Sequence, residues 1–341
     1  TLSNGGFVIT WTSGGQDGDS FGVYAQIYDT DGNMVGAEFQ VNTYTTGYQY
    51  APDITALAGG GFAITWTSDG QDSDGGGIYA QIYNANGDKV GAEFQVNTYT
   101  TAWQYGSSIT ELAGGGFAIT WHSNEQDDDG SSIHAQIYDA DGIRVGDEFQ
   151  VNTTTTSSQY VPSITALTGG GFTITWHSNE QDGDSWGVFA QIYDAAGTRV
   201  GSEFQVNTYT ASLQVFPYIT ALADGGFVIS WMSEGQDGDE WGVFAQRYDS
   251  EGNALGVATL DIINEVTGTT ADDILNGTSG NDDISTLEGA DVVYALAGND
   301  TIYLTADSTW GSGYRATNVS NDNSVGTGEK INIYGLNKFS D

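Results

Sequence analysis

Short stretches of alternating apolar and polar residues, separated by glycine-rich turns, run along most of this chain. Alternation with a period of two is the mark of a half-buried β-strand. One such stretch recurs as Gly-Gly-Phe-x-Ile-[Thr/Ser]-Trp, with its Phe at Phe7, Phe62, Phe117, Phe172 and Phe227 and its Trp at Trp11, Trp66, Trp121, Trp176 and Trp231, always 55 residues apart. Within one unit the spacing predicts strands over 54–57, 62–66, 78–83 and 93–97. The turn between the last two, Asn84-Ala85-Asn86-Gly87-Asp88, carries an Asn-Gly pair, a strong hairpin signal. No segment of the unit has a helical period. Four short strands with short turns make an antiparallel meander, and a meander repeated at this period points to propeller blades. A parallel β-helix is the runner-up, although its rungs are shorter and need no hairpins. The expected fold is therefore all-β: a β-propeller of four-stranded antiparallel blades over 1–266, with five repeats visible. The first unit lacks most of its first strand. The fifth ends in a weaker fourth strand near 259–262.

In a meander the loops after strands two and four share one side. The loops after strand two carry Asp17 and Asp19, Asp72 and Asp74, Asp127 and Asp129, Asp182 and Asp184, and Asp237 and Asp239. Paired carboxylates with nearby carbonyls suit a hard cation such as Ca2+. They also suit a solvated turn in which Asp bonds its own backbone, and both readings stay open. They are not EF-hands, since the twelfth position after Asp17 holds Tyr28. The loops after strand four carry Tyr44, Tyr48, Tyr99, Trp103 and Tyr209. Such rings can stack on the apolar faces of sugars, or simply pack between blades. Gln26, Gln81, Gln136, Gln191 and Gln246 recur in mid-strand and read as structural ties, because a buried amide must be hydrogen-bonded.

After Val266 the long period gives way to a nine-residue one. Gly280, Gly289 and Gly298 are in step, as are Asp282, Asp291 and Asp300, and Ile284, Val293 and Ile302; Asp273 and Leu275 fit an earlier copy. This matches the nonapeptide G-G-x-G-x-D-x-U-x of calcium-binding β-rolls. Thr286-Leu287 and Ala295-Leu296 replace the paired glycines. A short parallel β-roll over 267–306 is expected, with Ca2+ bridging turns two repeats apart, Asp273 with Asp291 and Asp282 with Asp300. Folding and metal binding should be coupled in so small a coil. The remainder, 307–341, reads as a tail or cap with one strand near 330–334.

The nonapeptides resemble those of the repeats-in-toxin (RTX, haemolysin-type calcium-binding) family of secreted bacterial proteins, over about Gly268–Tyr303. The 55-residue unit is similar to propeller-like repeats in large proteins of that group. The resemblance implies one-step type I export, an extracellular or cell-surface location, and folding when calcium is met outside the cell. It does not choose among adhesins, surface-layer components, proteases and lipases.

Composition sharpens this. Forty-five acidic residues against seven basic give a net charge of -38. Nucleic acid is excluded as a partner, since phosphate binding needs clustered Lys and Arg. Cysteine is absent, so disulfides and thiolate chemistry are excluded here. No apolar stretch is long enough to span a membrane. No signal peptide is visible, and Thr1 reads as lying inside a larger parent sequence. Catalysis normally needs singular residues that break a repeat. The three histidines are His122, His134 and His177, and the first and last are equivalent positions. The expectation is a non-enzymatic calcium-binding adhesion or surface-layer module, with a glycan or cell-surface polysaccharide as the partner implied by the acidic-aromatic face. The alternatives are a secreted polysaccharide-degrading enzyme or its accessory domain, and a structural subunit that self-assembles.

Overall fold

The computed structural model describes residues 1–127, 129–238 and 240–255, and the strand segments 264–267, 274–276, 282–285, 292–294, 301–303 and 332–334. It divides into two compact units, Thr1–Gly256 and Val257–Asp341.

The first unit is five antiparallel sheets. Sheet one holds β1 (Phe7–Gly14), β2 (Phe21–Tyr28) and β3 (Met34–Gln40). Sheet two holds β4 (Gln49–Ala56), β5 (Phe62–Asp69), β6 (Gly76–Tyr83) and β7 (Lys89–Gln95). Sheet three holds β8 (Gln104–Glu111), β9 (Phe117–Asn124), β10 (Ser131–Tyr138) and β11 (Arg144–Gln150). Sheet four holds β12 (Gln159–Ala166), β13 (Phe172–Asn179), β14 (Trp186–Tyr193) and β15 (Arg199–Gln205). Sheet five holds β16 (Gln214–Ala221), β17 (Phe227–Glu234), β18 (Trp241–Tyr248) and β19 (Ala254–Leu255). Each sheet is a meander in chain order, so the expected loop faces follow. The hairpin at 84–88 closes through Asn84 N donating to Asp88 O (2.9 Å), with Gly87 at a positive φ of 84°.

The core lies between sheets. Val23, Ala25 and Ile27 of sheet one pack against Phe62, Ile64 and Trp66 of sheet two, and the same arrangement recurs at the next three seams. Side chains buried this fully contribute about 1.5–3 kcal/mol each. This is why the Phe-x-Ile-x-Trp alternation is kept in every unit. Polar clamps reinforce the seams. Glu148 Oε2 accepts from Thr98 N (2.6 Å) and Thr98 Oγ1 (2.9 Å), and Glu203 repeats this with Thr153. Arg144 Nη2 donates to Val96 O (2.8 Å) one sheet back.

The recurrent glutamines sit where the third and fourth strands slip register. Gln136 Nε2 donates to Ile137 O (2.9 Å) and Val145 O (3.4 Å), beside a bulge between Ala135 and Ile137.

Two expectations need correction. The fourth strand ends at Gln95, not at Asn97. Asn97 leaves the ladder because its side chain takes over: Oδ1 accepts from Ile78 N (2.8 Å) and Nδ2 donates to Tyr99 O (2.8 Å). The five sheets also do not close into a ring. Sheet one lacks an inner strand, and β19 is only two residues long. The strand expected near 259–262 lies outside the described residues.

In the second unit, β20 (Asn264–Thr267), β22 (Asp282–Ser285), β24 (Thr301–Tyr303) and β25 (Asn332–Tyr334) form one parallel sheet, and β21 (Ile274–Asn276) and β23 (Val292–Tyr294) another. Val266 pairs with Ile284, and Ile284 with Ile302, so each strand lies beside the one two nonapeptides on. Leu275 and Ile284 are buried. Among the described residues no helix is long and apolar enough to cross a membrane.

Candidate functional site

The loops after strands two and four are joined to each other across every seam. In the four fully described pairs the first Asp closes its own turn: Asp17 Oδ1 accepts from Asp19 N at 3.2 Å, and Asp182 Oδ1 from Asp184 N at 3.4 Å. The second Asp reaches the following sheet. Asp19 Oδ2 accepts from Gly47 N (2.9 Å), Asp74 from Ala102 N (3.3 Å), Asp129 from Ser157 N (3.2 Å) and Asp184 from Ser212 N (3.3 Å). Side-chain amides fill further positions, with Gln95 Nε2 donating to Asp72 (3.3 Å) and Gln150 Nε2 to Asp127 (2.9 Å). Burial raises the carboxyls of Asp72 and Asp127 above the usual range. Asp17 Oδ2 and Asp127 Oδ1 are buried without a hydrogen-bond partner. Among the described residues, no group of three or more acidic or histidine side chains converges as a metal cage would require. Asp239 lies outside the described residues, and Asp237 has an interaction partner.

The loop aromatics divide into two sets. Tyr44, Tyr99 and Tyr209 are half-buried, and Tyr99 Oη donates to Glu125 O (3.1 Å), so they brace the loops. Tyr48 and Trp103 are exposed. Each lies against the start of a third strand in the preceding sheet. Tyr48 sits 5.4 Å from the ring of Phe21, and Trp103 covers Gly76, where an added Cβ would lie 3.0 Å from its ring. The equivalent pairs are Ser131 with Ser158 and Trp186 with Leu213.

A second set of aromatics ends the segments that the sequence reads as polar-aromatic loops, 42–50 and 97–105, and the structure places it in the first strands. Tyr50, Tyr105 and Tyr160 occupy one position of β4, β8 and β12, each opposite Thr67, His122 or His177 of the second strand. The rings form a run across the seams. Tyr105 meets His122 at 3.7 Å, His122 meets Tyr160 at 5.2 Å, and Tyr160 lies 5.7 Å from Trp186. His177 lies 4.9 Å from Trp186 and 5.8 Å from Phe216. All three tyrosines are half-buried. Burial, with Asp69 and Tyr105 nearby, pushes the Tyr50 hydroxyl up to about 12. Asn124 hydrogen-bonds Tyr105. Asp69 is the equivalent of Asn124, and its Oδ1 is buried with no hydrogen-bond partner. The recurrence of Tyr two residues beyond Tyr48 and Trp103 is visible in the sequence, but it falls ahead of the predicted first strand, in a segment read as loop.

The histidines are neutral. Burial, and secondarily His177, holds His122 down to about 3, and burial holds His177 down to about 4. His177 Nδ1 accepts from Phe216 N (3.2 Å), whereas neither ring nitrogen of His122 has a partner. Asp53 is a seam tie rather than a free acid. It accepts from Ile109 N and Ser108 Oγ, each at 3.0 Å. What remains accessible is a surface of aromatic edges, amides and carboxylates with hydrogen-bonding capacity in both directions.

In the second unit, Asp273, Gly280, Gly289, Asp291, Gly298 and Asp300 lie outside the described residues. Asp282 is at the start of β22, paired with Asn264. The parallel register stacks equivalent positions two repeats apart, which fits a hard cation shared between successive turns.

Comparison with known proteins bears on both units. No curated protein matches the chain. Among solved structures, a protein of unknown function from Dyadobacter fermentans is 12% identical, with 75% of this chain and 79% of that chain covered and a TM-score of 0.55. An α-L-arabinofuranosidase from Fusarium graminearum is 13% identical, covering 73% and 78%, with a TM-score of 0.49. An endo-arabinase from Bacteroides thetaiotaomicron is 11% identical, covering 76% and 96%, with a TM-score of 0.40. At these identities the likeness concerns the fold alone. It nevertheless corrects the expectation of a non-enzymatic module. The structural neighbours are mostly glycoside hydrolases, so an all-β repeat of this kind is no argument against catalysis. Residues 267–302 match the RTX calcium-binding nonapeptide repeat in four copies, a repeat typical of secreted proteins. On that match residues 267–302 are RTX-type calcium-binding repeats, and this segment binds Ca2+.

Proposed function

We propose that this protein is an extracellular, calcium-dependent carbohydrate-recognition protein that acts in adhesion at a cell surface. The run Tyr50, Tyr105 and Tyr160 carries the reading. Rings spaced one per sheet, flanked by Asp69 and Asn124, offer what a chain of sugars requires: apolar faces to stack on and fixed groups for its hydroxyls. Exposed Tyr48 and Trp103 extend the same kind of surface along the loops. Asp69, half-buried beside Tyr50, adds a carboxylate at the edge of this run.

In this reading the second unit is a β-roll. Gly280, Gly289 and Gly298 make its turns, and Asp273 with Asp291 and Asp282 with Asp300 hold Ca2+ between them. The ion folds the coil only outside the cell, where calcium is plentiful.

The test is binding to an array of neutral and acidic polysaccharides, with calcium and with chelator. Wild type should bind a defined subset in calcium. Tyr105→Ala and Tyr160→Ala should each weaken binding about tenfold, since a ring–ligand stacking contact contributes about 1–2 kcal/mol. Absence of binding throughout, or binding untouched by either substitution, would overturn the reading. Reducing ends released in the same samples would make the site hydrolytic.

A further inference from the structure

Charge is sorted between the two sides of the first unit. Lys89, Arg144, Arg199 and Arg247 are its lysines and arginines. The first three each open a fourth strand, directly after the hairpin that follows strand three, and Arg247 lies near the end of β18, beside the same hairpin of sheet five. Each is already engaged there. Lys89 Nζ donates to Val41 O (2.9 Å), Arg144 Nη2 to Val96 O (2.8 Å) and Arg199 Nη2 to Gln150 O (2.8 Å), while Arg247 pairs with Asp224. The run Tyr50, Tyr105 and Tyr160 lies on the other side, where first strands begin and second strands end. Tyr50 stands opposite Thr67, and Thr67 opposite Ile78; Lys89 stands opposite Tyr83, five residues further along the ladder. Sheets three and four keep the same register. At ~3.4 Å per residue the separation is ~17 Å. The Debye length at physiological ionic strength is only ~8 Å. None of the four cations therefore offsets charge at the rings.

The ring side holds carboxylates instead. Asp69 ends β5 beside Tyr50. Asp19, Asp74 and Asp129 accept from the backbone N–H of Gly47, Ala102 and Ser157, each three residues ahead of a tyrosine of the run. These donors are neutral amides, so they satisfy the oxygens and leave the negative charge standing. An aromatic face is itself electron-rich and attracts a cation. Rings and carboxylates thus favour the same kind of ligand.

Resting on the carbohydrate reading above, we infer that the tyrosine run selects amine-bearing glycans, polymers of sugars with free, protonated amino groups. The ammonium groups are held by the ring faces and by the carboxylates beside them, while the sugar rings stack. A neutral chain gains the stacking alone. A uronic or sulfated chain carries the same sign as the surface it meets and finds no cation within reach, and like-charge juxtaposition discriminates strongly against the wrong partner.

Titration calorimetry of the full chain in calcium, under mildly acidic conditions that keep the amines charged, tests it. The probes are a glucosamine oligomer, the same oligomer acetylated at every amine, and the same oligomer succinylated at every amine: one backbone made positive, neutral and negative. At low salt the free-amine form should bind about tenfold more tightly than the acetylated form. Added salt should shrink that advantage, and the succinylated form should not bind. Asp69→Asn, which installs the residue found at the equivalent positions Asn124 and Asn179, should reduce the advantage without weakening the acetylated form. Tyr105→Ala should weaken both. Equal affinity for the free and acetylated forms, an advantage that salt does not reduce, or binding of the succinylated form would overturn the charge selection and leave carbohydrate recognition standing. A free-amine form that does not bind at all would also overturn it, and binding of other polysaccharides would then keep the carbohydrate reading separate. Free-amine binding that survives Tyr105→Ala, or that oligolysine of equal charge matches, would show attraction for any polycation and would overturn the inference too.

Discussion

Gly106 approaches His122 so closely that a β-carbon on it would lie 2.7 Å from Cε1 of the imidazole. Its φ of +66° is not the reason glycine is needed. The equivalent positions Ala51, Val161 and Phe216 take φ of 50°, 53° and 54° with side chains attached. Val161 even stands beside the equivalent histidine, His177, whose ring lies against Trp186 and Phe216, so it is the placement of the His122 ring that leaves no room for a β-carbon at Gly106. Gly106→Ala should therefore destabilise the first unit by about 1–3 kcal/mol through overpacking. In the His122→Thr background, which restores the residue found at Thr67, the same substitution should cost little. Chemical denaturation of the four proteins of that cycle measures the coupling directly.

Glu148 clamps a seam from a nearly buried side chain. One oxygen takes both donors of Thr98, and the other takes Gln126 Nε2 at 2.7 Å. Hydrogen bonds to a charged acceptor contribute more than neutral ones. Glu148→Ala should lower stability by about 2–4 kcal/mol, counting the donors left unpaired. Glu38→Ala, at the same repeat position but exposed and without the seam bond, should be close to neutral. Denaturant midpoints of the two variants provide the comparison.

These two residues also mark where sequence reading succeeds and where it stops. The 55-residue step in Phe-x-Ile-x-Trp fixed the strands and the loop faces, because alternation records which side of a sheet is covered. It did not record whether the array closes. The copies at Ile9 and Ile64 look alike in sequence and differ only in what lies beyond them. The Asp-x-Asp pairs were visible, but their bonds to Gly47, Ala102, Ser157 and Ser212 span a seam and leave no local signature. Tyr105 and Tyr160 fall outside the predicted first strand for a related reason: each sits before a register slip, between 105 and 108 and between 160 and 163, which breaks the period-two pattern. The nonapeptides were legible outright, since glycine, aspartate and an aliphatic residue recur in one register.

Acidification should weaken the first unit through its histidines. In the folded chain burial holds His122 at about 3, and His177 and His134 at about 4, against an unfolded value of 6.5; Glu148 partly offsets the effect at His134. Between those limits the unfolded chain binds more protons. The stability these groups contribute is therefore whole above pH 6.5 and is lost as pH falls through that window. Asp53 and Asp69 act in the opposite sense, because burial raises them. His122→Thr should flatten the acid limb of the stability profile relative to wild type. An unchanged slope would show that His122 is not the group being protonated.

Calcium should act unequally on the two units. In the first, the acidic pairs are largely occupied by backbone and amide donors, and no cage of three converges among the described residues. In the second, the proposed reading has an ion bridging the turns between its parallel strands, with metal binding and folding coupled. A ligand that binds only the folded form adds about 2.7 kcal/mol at a hundred times its Kd. Calorimetry at fixed ionic strength should thus show a transition that rises with calcium, disappears with chelator and is not restored by sodium. A second transition, belonging to the sheets, should move far less. The truncation 1–256 separates the cases. If its melting also climbs with calcium, the Asp17–Asp19 type of pair binds the ion after all, and the buried, unpartnered oxygens of Asp17 and Asp127 would be the first ligands to test by substitution with Asn.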